Sequence, residues 1–365
     1  MADTARERRA AHDIDRVRAA CTRFLAGHGE RTAADMLAMI PAATVPDRYG
    51  QGGVVADLEQ EVARVLGKEA ALFFPSGTMA QQIALRVHAD RRGRRGIVFH
   101  PWSHLDWHEG RGYERLHGLH GIPCGPLGEV LSLRALHIVH EPPAALLLEL
   151  PQRDLGGDLP SWDELVAETE WARSRGAAAH MDGARLWEAA PYYDKSPAEV
   201  AALFDTVYVS FYKGLGGITG CCLAGPKDIL LEVDEWRVRH GGRLYGLWPY
   251  AASALTALRE RLPKMPRYLE KARSIAAALT DIPGLQVIPD PPKTPMMHVQ
   301  MDGTPADLLV RGLEIARRER VWTFVRPFAV DSPHRLRVEF SVGDATLGFQ
   351  PDEVRELFRE LAGAI

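Results

Sequence analysis

Three stretches of the chain set polar residues where an apolar strand should end. In "AAAHMDGARLWEAA" (177–190), small apolar residues run to His180 and Met181, and Asp182, Gly183 and Arg185 then appear together. In "VYVSFYKGLGG", Lys213 follows an apolar run and precedes a glycine-rich turn, thirty-one residues after Asp182. In "FFPSGTMAQQ", Ser76, Gly77 and Thr78 join a strand to the start of a helix. A lysine at the end of a core strand either snorkels to solvent or is desolvated. Desolvation lowers its pKa and yields a nucleophilic amine suited to a Schiff base. Free N–H groups and hydroxyls at a helix N-terminus suit a phosphate, although Ser and Thr there also serve as ordinary caps.

Taken together, the three stretches fit one cofactor. Pyridoxal phosphate needs a phosphate cradle, an acid facing the pyridine nitrogen and a lysine to carry the aldehyde. An ionised Asp182 would keep the pyridinium protonated, so that the ring can accept electrons from a substrate carbanion.

The elements that must position these residues follow from periodicity. From about residue 54 helices and short apolar strands alternate: "VADLEQEVARVLG", "AALFFP", "SGTMAQQIALRVHAD", "GIVFHP" and the continuous apolar run "AALLLEL". "SWDELVAETEWARSRG" reads as a capped helix, with Ser161 as N-cap, Glu164 three residues on and Gly176 at its end. Strands alternating with helices over some 200 residues predict an α/β domain with a mainly parallel sheet. Beyond "CCLAG" come long helical stretches, then the strand-like "LQVIP", "MMHVQM" and "RLRVEFSV" among helices, a smaller α+β domain. The expected division is an N-terminal helical segment over 1–45, a large cofactor-binding domain over 46–250, and a long connecting helix with the small domain over 251–365. The N-terminal helix carries Ile14, Val17, Ala20, Cys21 and Leu25 at helical spacing.

Composition excludes several classes of function. The 365 residues are 46% hydrophobic and 25% charged with a net charge of −4, and basic residues are interleaved with acids, unlike a nucleic-acid binder. The one basic cluster, "DRRGRRG", reads as a solvated loop. Cys21, Cys124, Cys221 and Cys222 have neither disulfide-framework nor metal-site spacing. No apolar run approaches the roughly 18 residues of a membrane span, and the charged N-terminus lacks a signal-peptide core. A cytoplasmic protein is expected.

The sequence resembles the fold-type-I pyridoxal-phosphate enzymes of the threonine aldolase and β-eliminating lyase group. The phrases that carry the resemblance are "DRYGQGG…DLEQEVARVLGKEAALFFPSGTMA", "HMDGARLWEAA" and "KGLGG…GCCLAG", within residues 45 to 230. The resemblance implies that Lys213 forms the internal aldimine, Asp182 pairs with the ring nitrogen, and Gly77 and Thr78 hold the phosphate beside Ser76. Arg185 matches the arginine that binds the substrate carboxylate, and Arg335 the small-domain arginine that shares the task, with Arg337 as a neighbouring competitor. His104 aligns with the histidine stacked on the ring. His140 falls near the position of a second histidine close to the substrate hydroxyl, where a neutral imidazole would take the β-hydroxyl proton.

The implied reaction is cleavage of the Cα–Cβ bond of a β-hydroxy-α-amino acid, threonine-like or bulkier, to glycine and an aldehyde. The alternatives are β-elimination, racemisation or amino transfer with the same cofactor, or a catalytically silent cofactor-binding protein. A homodimer or homotetramer with active sites between subunits is also implied. No metal site is expected: His100, His104 and His108 stand four residues apart, but Pro101 sits poorly inside the continuous helix that a shared metal would need.

The chain departs from the family pattern at several points. Tyr212 stands where serine usually precedes the lysine. "HGGRLYGLW" replaces the "GGGMRQ" stretch whose arginine reaches a phosphate across a subunit interface. Either Arg243 does that work from a shifted register or the phosphate is held differently. Gln152 stands where a histidine is usual. Trp102, Trp107, Trp248 and Tyr212 either line a bulkier pocket or are plain core.

Overall fold

The computed structural model describes residues 14–323, 327–329 and 334–363. Its strands, in chain order, are β1 (Arg23–Phe24), β2 (Ala70–Phe74), β3 (Gly96–Phe99), β4 (His120–Pro123), β5 (Ala145–Glu149), β6 (Ala178–Gly183), β7 (Thr206–Ser210), β8 (Cys221–Gly225), β9 (Leu285–Ile288), β10 (Met296–Asp302), β11 (Val321–Trp322), β12 (Pro327–Ala329) and β13 (Arg335–Ser341). The chain divides into two compact units, one spanning Thr32–Pro266 and the other combining residues up to Arg31 with those from Arg267 onward.

The large unit holds a seven-stranded sheet in the order β2-β8-β7-β6-β5-β3-β4. All neighbours are parallel except at β8, which runs against both β2 and β7. The expected α/β class with a mainly parallel sheet is therefore observed. Strands β6, β7 and β8 are buried throughout, which is why they read as continuous apolar runs rather than alternating ones. The outer edge of β2 is blunted rather than open: Glu59 Oε1 accepts from Phe73 N at 2.8 Å, and the buried Arg237 donates to Phe73 O at 2.7 Å.

The helix Gly77–Arg92 connects β2 to β3 and lies across the intervening strands, touching β5, β6, β7 and β8. Its inward face is not purely apolar. Gln81 and His88 are buried, and they meet His180 of β6 and Thr206 of β7. His180 Nε2 lies 2.6 Å from Gln81 Oε1, His180 Nδ1 2.8 Å from Thr206 Oγ1, and His88 Nε2 2.7 Å from the same hydroxyl. With the Gln81 amide oxygen facing His180, one arrangement of protons satisfies all three contacts. His180 donates from Nε2 to the Gln81 carbonyl and accepts the Thr206 hydroxyl proton at Nδ1, and Thr206 accepts from His88 Nε2. Both histidines must be neutral for this, and burial enforces it, pushing His180 down to about 3 and His88 well below its usual value.

The predicted helix at "SWDELVAETEWARSRG" is Trp162–Ser174, with Ser161 Oγ accepting from Glu164 N at 3.2 Å. The Glu164 carboxylate does not return the bond; it accepts instead from Leu133 N at 2.5 Å.

The small unit places β12-β13-β10-β9 in one antiparallel sheet, which includes the three strands expected from sequence. The boundaries expected from sequence are corrected at both ends. The N-terminal helix ends at residue 19, and β1 then pairs in parallel with β11. Val17 and Cys21 pack with Ala316 and Trp322, so residues to Arg31 belong with the C-terminal third rather than forming a separate segment to 45. The connecting helix is broken around Pro263 into Trp248–Arg261 and Met265–Leu279. The first of these packs on the helix Gly53–Leu66, which moves the large-unit boundary from 250 to 266.

Because both buried histidines bind protons more weakly folded than unfolded, the unfolded chain takes up protons first as pH falls below about 6.5. Stability measured by urea unfolding should decline from pH 7 to pH 5, and His88→Gln should make that decline shallower by up to about 1.4 kcal/mol per pH unit. Thr206→Val, which strands two buried ring nitrogens, should cost about 2–3 kcal/mol at pH 7.5.

Candidate active site

The carboxyl ends of β2, β3, β5, β6 and β7 share one edge of the large sheet, and the amino end of the reversed β8 joins them. At that edge lies a cavity of about 200 Å³ lined by Pro75, Ser76, Gly77, Thr78, His104, Glu109, Asp182, Ala184, Tyr208, Tyr212, Lys213 and Thr219. A larger surface hollow, about 500 Å³ in the small unit, is walled by Arg and Glu side chains paired as Arg23–Glu353 and Arg318–Glu360. The chemistry is concentrated in the smaller cavity.

Lys213 leaves β7 through Phe211 and Tyr212, and the residues on either side of it are held by Trp187 and Glu188. Trp187 Nε1 donates to Ser210 O at 3.0 Å, and Gly214 N donates to Glu188 Oε1 at 3.1 Å. A Cβ built on Gly214 would collide with the Glu188 carboxylate, so only glycine lets the acid dock there. Burial lowers the Lys213 pKa, and the neighbouring Arg185 charge lowers it further, against Asp182, Glu149 and Glu188. The amine is thus biased toward its neutral, nucleophilic form.

Asp182, the penultimate residue of β6, has its carboxylate in the cavity wall and Oδ1 accepting from Ala184 N at 3.1 Å. Directly across the ladder stands Glu149, the last residue of β5. Glu149 accepts from His104 N and Arg153 N, each at 3.0 Å, and from Gln152 Nε2 at 3.3 Å. Its burial, and then the Asp182 charge, raise its pKa to about 7. His104 Nδ1 lies 3.0 Å from Glu109 Oε1, a carboxylate that is itself buried. Burial alone would lower the His104 pKa, but the Glu109 hydrogen bond and the negative charges of Asp182 and Glu109 outweigh it, so the net shift is upward.

The helix Gly77–Arg92 begins in the cavity wall, and its cap residue Ser76 makes no side-chain capping bond. The ordinary-cap reading of this stretch is therefore not realised, and the first-turn N–H groups open on the cavity. A Cβ on Gly77 would strike the Tyr208 hydroxyl, so the close approach of β7 to the helix start requires glycine there. An amine biased toward neutrality, an acid in the wall and an uncapped helix start around one cavity fit pyridoxal phosphate: Lys213 would carry its carbonyl carbon, Asp182 face its nitrogen, and Ser76, Gly77 and Thr78 take its phosphate.

The structure thus brings together Lys213, Asp182, Ser76, Gly77, Thr78 and His104, with Arg185 beside the lysine. It does not bring His140 to them. His140 is exposed and precedes the amino end of β5, whereas the cavity lies at the carboxyl end, about 17 Å further along a five-residue strand. The catalytic role expected for His140 is withdrawn on that ground. Arg243 is also outside the cavity wall, ion-paired with Asp234. Arg335 belongs to the small unit, where its Nε lies 3.1 Å from Asp302 Oδ1, and Arg337 donates to Gln300 at 3.2 Å.

The three-histidine reading also dissolves. His100 Nε2 sits 2.9 Å from the carbonyls of Pro126 and Glu129, and His108 Nε2 3.0 Å from Asp154. Among the described residues no group of three His, Cys, Asp or Glu side chains is placed to hold a metal. Trp107 is exposed, with its indole N–H on Pro101 O, and of the four aromatic candidates for a pocket Tyr212 is the one in the cavity wall. Sequence reasoning missed Glu109, Glu149, Glu188 and Tyr208. Glu149 ends an apolar strand as Asp182 does, so the same signal was present. Tyr208 lies two residues before Ser210 on one face of β7, the alternation that a fully apolar strand hides.

Comparison with known proteins gives the family. A family described as beta-eliminating lyase matches residues 29–304. The low-specificity L-threonine aldolase 1 of Arabidopsis thaliana is 30% identical over 277 residues, 73% of this chain and 76% of that one. Aldolase vrtJ of Penicillium aethiopicum is 31% identical over 340 residues, 90% and 84% of the two chains. A crystal structure from Listeria monocytogenes EGD-E, provisionally assigned as an L-allo-threonine aldolase, is 37% identical with a TM-score of 0.90, covering 97% of this chain and 99% of that one. By the extent of the family match and by these relatives, the chain belongs to the beta-eliminating lyase family.

Proposed function

We propose that this chain is a pyridoxal-phosphate-dependent lyase that cleaves the Cα–Cβ bond of a β-hydroxy-α-amino acid, threonine or a bulkier relative, to glycine and an aldehyde. The observation that carries the reading is the convergence of Lys213, Asp182 and an uncapped helix start on one cavity. The names of the Arabidopsis and Listeria relatives support the substrate class.

When bound, the cofactor supplies an electron sink for the pair released from the breaking bond. The protein's own residues do the rest. Asp182 holds a proton on the pyridine nitrogen. Arg185, beside Lys213, takes the substrate carboxylate in a two-pronged contact. His104, with Glu109 fixing its Nδ1, takes the β-hydroxyl proton as the bond to Cα breaks. Gln152 stands at the carboxyl end of β5, but it is an amide engaged with Trp102 O at 2.9 Å and with Glu149, so it takes no proton. A cytoplasmic homodimer or homotetramer is part of the same proposal. It is compatible with four buried free cysteines and with the lack of any helix, among the described residues, long and apolar enough to cross a membrane.

Purified protein should absorb in the visible range and release aldehyde and glycine from at least one β-hydroxy-α-amino acid. Lys213→Ala should lose both the band and the aldehyde. A band without aldehyde from any of a panel of such substrates would move the reaction to elimination, racemisation or transfer. His104→Phe should lower kcat by about 10²–10⁴-fold, while His140→Ala should leave kcat near that of the parent.

The pH profile provides a second check. Proton abstraction requires neutral His104, and the Glu109 contact raises its pKa, so the rate should rise with pH through a limb above the usual histidine range. Glu109→Gln keeps a hydrogen-bond acceptor but removes the charge, and should shift that limb to lower pH.

A further inference from the structure

If the cavity takes a phosphate at the start of the helix Gly77–Arg92, its charge needs partners beyond the backbone. Within the chain the wall offers no arginine: Arg243 is ion-paired with Asp234 and lies outside it. What the wall holds there instead is two phenols. Tyr208 of β7 is buried, with its hydroxyl so close to Gly77 that no Cβ fits between them. Tyr212, two residues beyond the end of β7, lines the same wall as Tyr208. Thr78 and Thr219 add two further hydroxyls to the same wall.

We propose that Tyr208 and Tyr212 donate hydrogen bonds to the cofactor's phosphate and, with the first turn of the helix, surround it with neutral donors. The inference rests on the cofactor reading above. A phenol is well suited to the place: it donates one hydrogen bond to a phosphate oxygen, and its rigid ring fills the apolar space between β7 and the helix. Tyr208 packs there against Phe74, Ala80 and Cys221. Burial keeps it protonated and hence a donor at neutral pH. Neutral donors also add no second cation near Lys213, whose amine already feels the charge of Arg185.

The test compares pyridoxal 5'-phosphate with pyridoxal, which lacks the phosphate. The two dissociation constants are measured by spectral titration for the parent protein, Tyr208→Phe, Tyr212→Phe, the double variant and Arg243→Gln. ³¹P resonances of the loaded proteins are recorded alongside. Each Tyr→Phe change should weaken the phosphorylated cofactor by about tenfold or more, move its ³¹P resonance, and leave pyridoxal binding nearly unchanged. Arg243→Gln should change neither. Equal weakening of both cofactors would assign the tyrosines to packing and overturn the proposal. So would loss of phosphate preference in Arg243→Gln with the Tyr→Phe variants unaffected. A parent protein that binds neither cofactor would instead remove the cofactor reading, and this proposal with it.

Discussion

The site depends on one helix being held across the sheet at a fixed height. Gly77–Arg92 carries the first-turn amides that face the cavity, while Asp182 and Lys213 come from β6 and β7 beneath it. Apolar contact alone would let such a helix slide, because dispersion and area burial have little directional preference. The chain from Gln81 through His180 and Thr206 to His88 supplies the direction. It spans two residues of the helix and one from each of two adjacent strands. Each link is a buried polar contact, so a shift of the helix by one residue would strand several buried polar atoms at once. His180 lies two residues before Asp182 on the same face of β6. The contact that fixes the helix therefore also fixes the distance from its first turn to the acid.

A second constraint comes from the pair of carboxylates at the ends of β5 and β6. Glu149 and Asp182 are opposed in a parallel ladder, and two negative charges so close in a buried setting are costly. The structure divides the burden. Glu149 is withdrawn into three donor contacts and raised to about 7, and Asp182 stands in the cavity wall. One acid organises the turns that carry His104 and Gln152, and the other is left to meet a ligand. Lys213 and Arg185 bring the opposing positive charge to the same edge.

Much of this was legible in the sequence because a polar residue at the exit of a buried strand is conspicuous. Asp182, Lys213 and the Ser76–Thr78 turn were found that way, and the alternation of apolar runs and helical stretches gave the parallel sheet. What escaped was whatever depends on which strands become neighbours. Glu149 matters because β5 lies beside β6, and Tyr208 because β7 passes beneath the helix start; neither adjacency is written in local spacing. His140 failed for a related reason. The resemblance places it near a second histidine of the family, but its position before β5 rather than after it puts it at the wrong edge of the sheet. The domain boundaries failed because texture changes along a chain need not coincide with packing, as the pairing of β1 with β11 demonstrates.

The departures from the family pattern need not be read as loss of function, because they are not scattered. Tyr212, where serine usually precedes the lysine, lines the cavity with Tyr208 at the helix start, and Arg243 is ion-paired with Asp234. Gln152, in the place of a usual histidine, is buried against the acid that holds His104 rather than left idle. A decaying site would lose its polar partners piecemeal and leave buried charges uncompensated, which costs several kcal/mol each. Here Gln152 shares Glu149 as a hydrogen-bond partner with His104, and Tyr212 stands in the same cavity wall as Lys213. That pattern fits a site whose phosphate hold and proton acceptor have been re-sited within one fold.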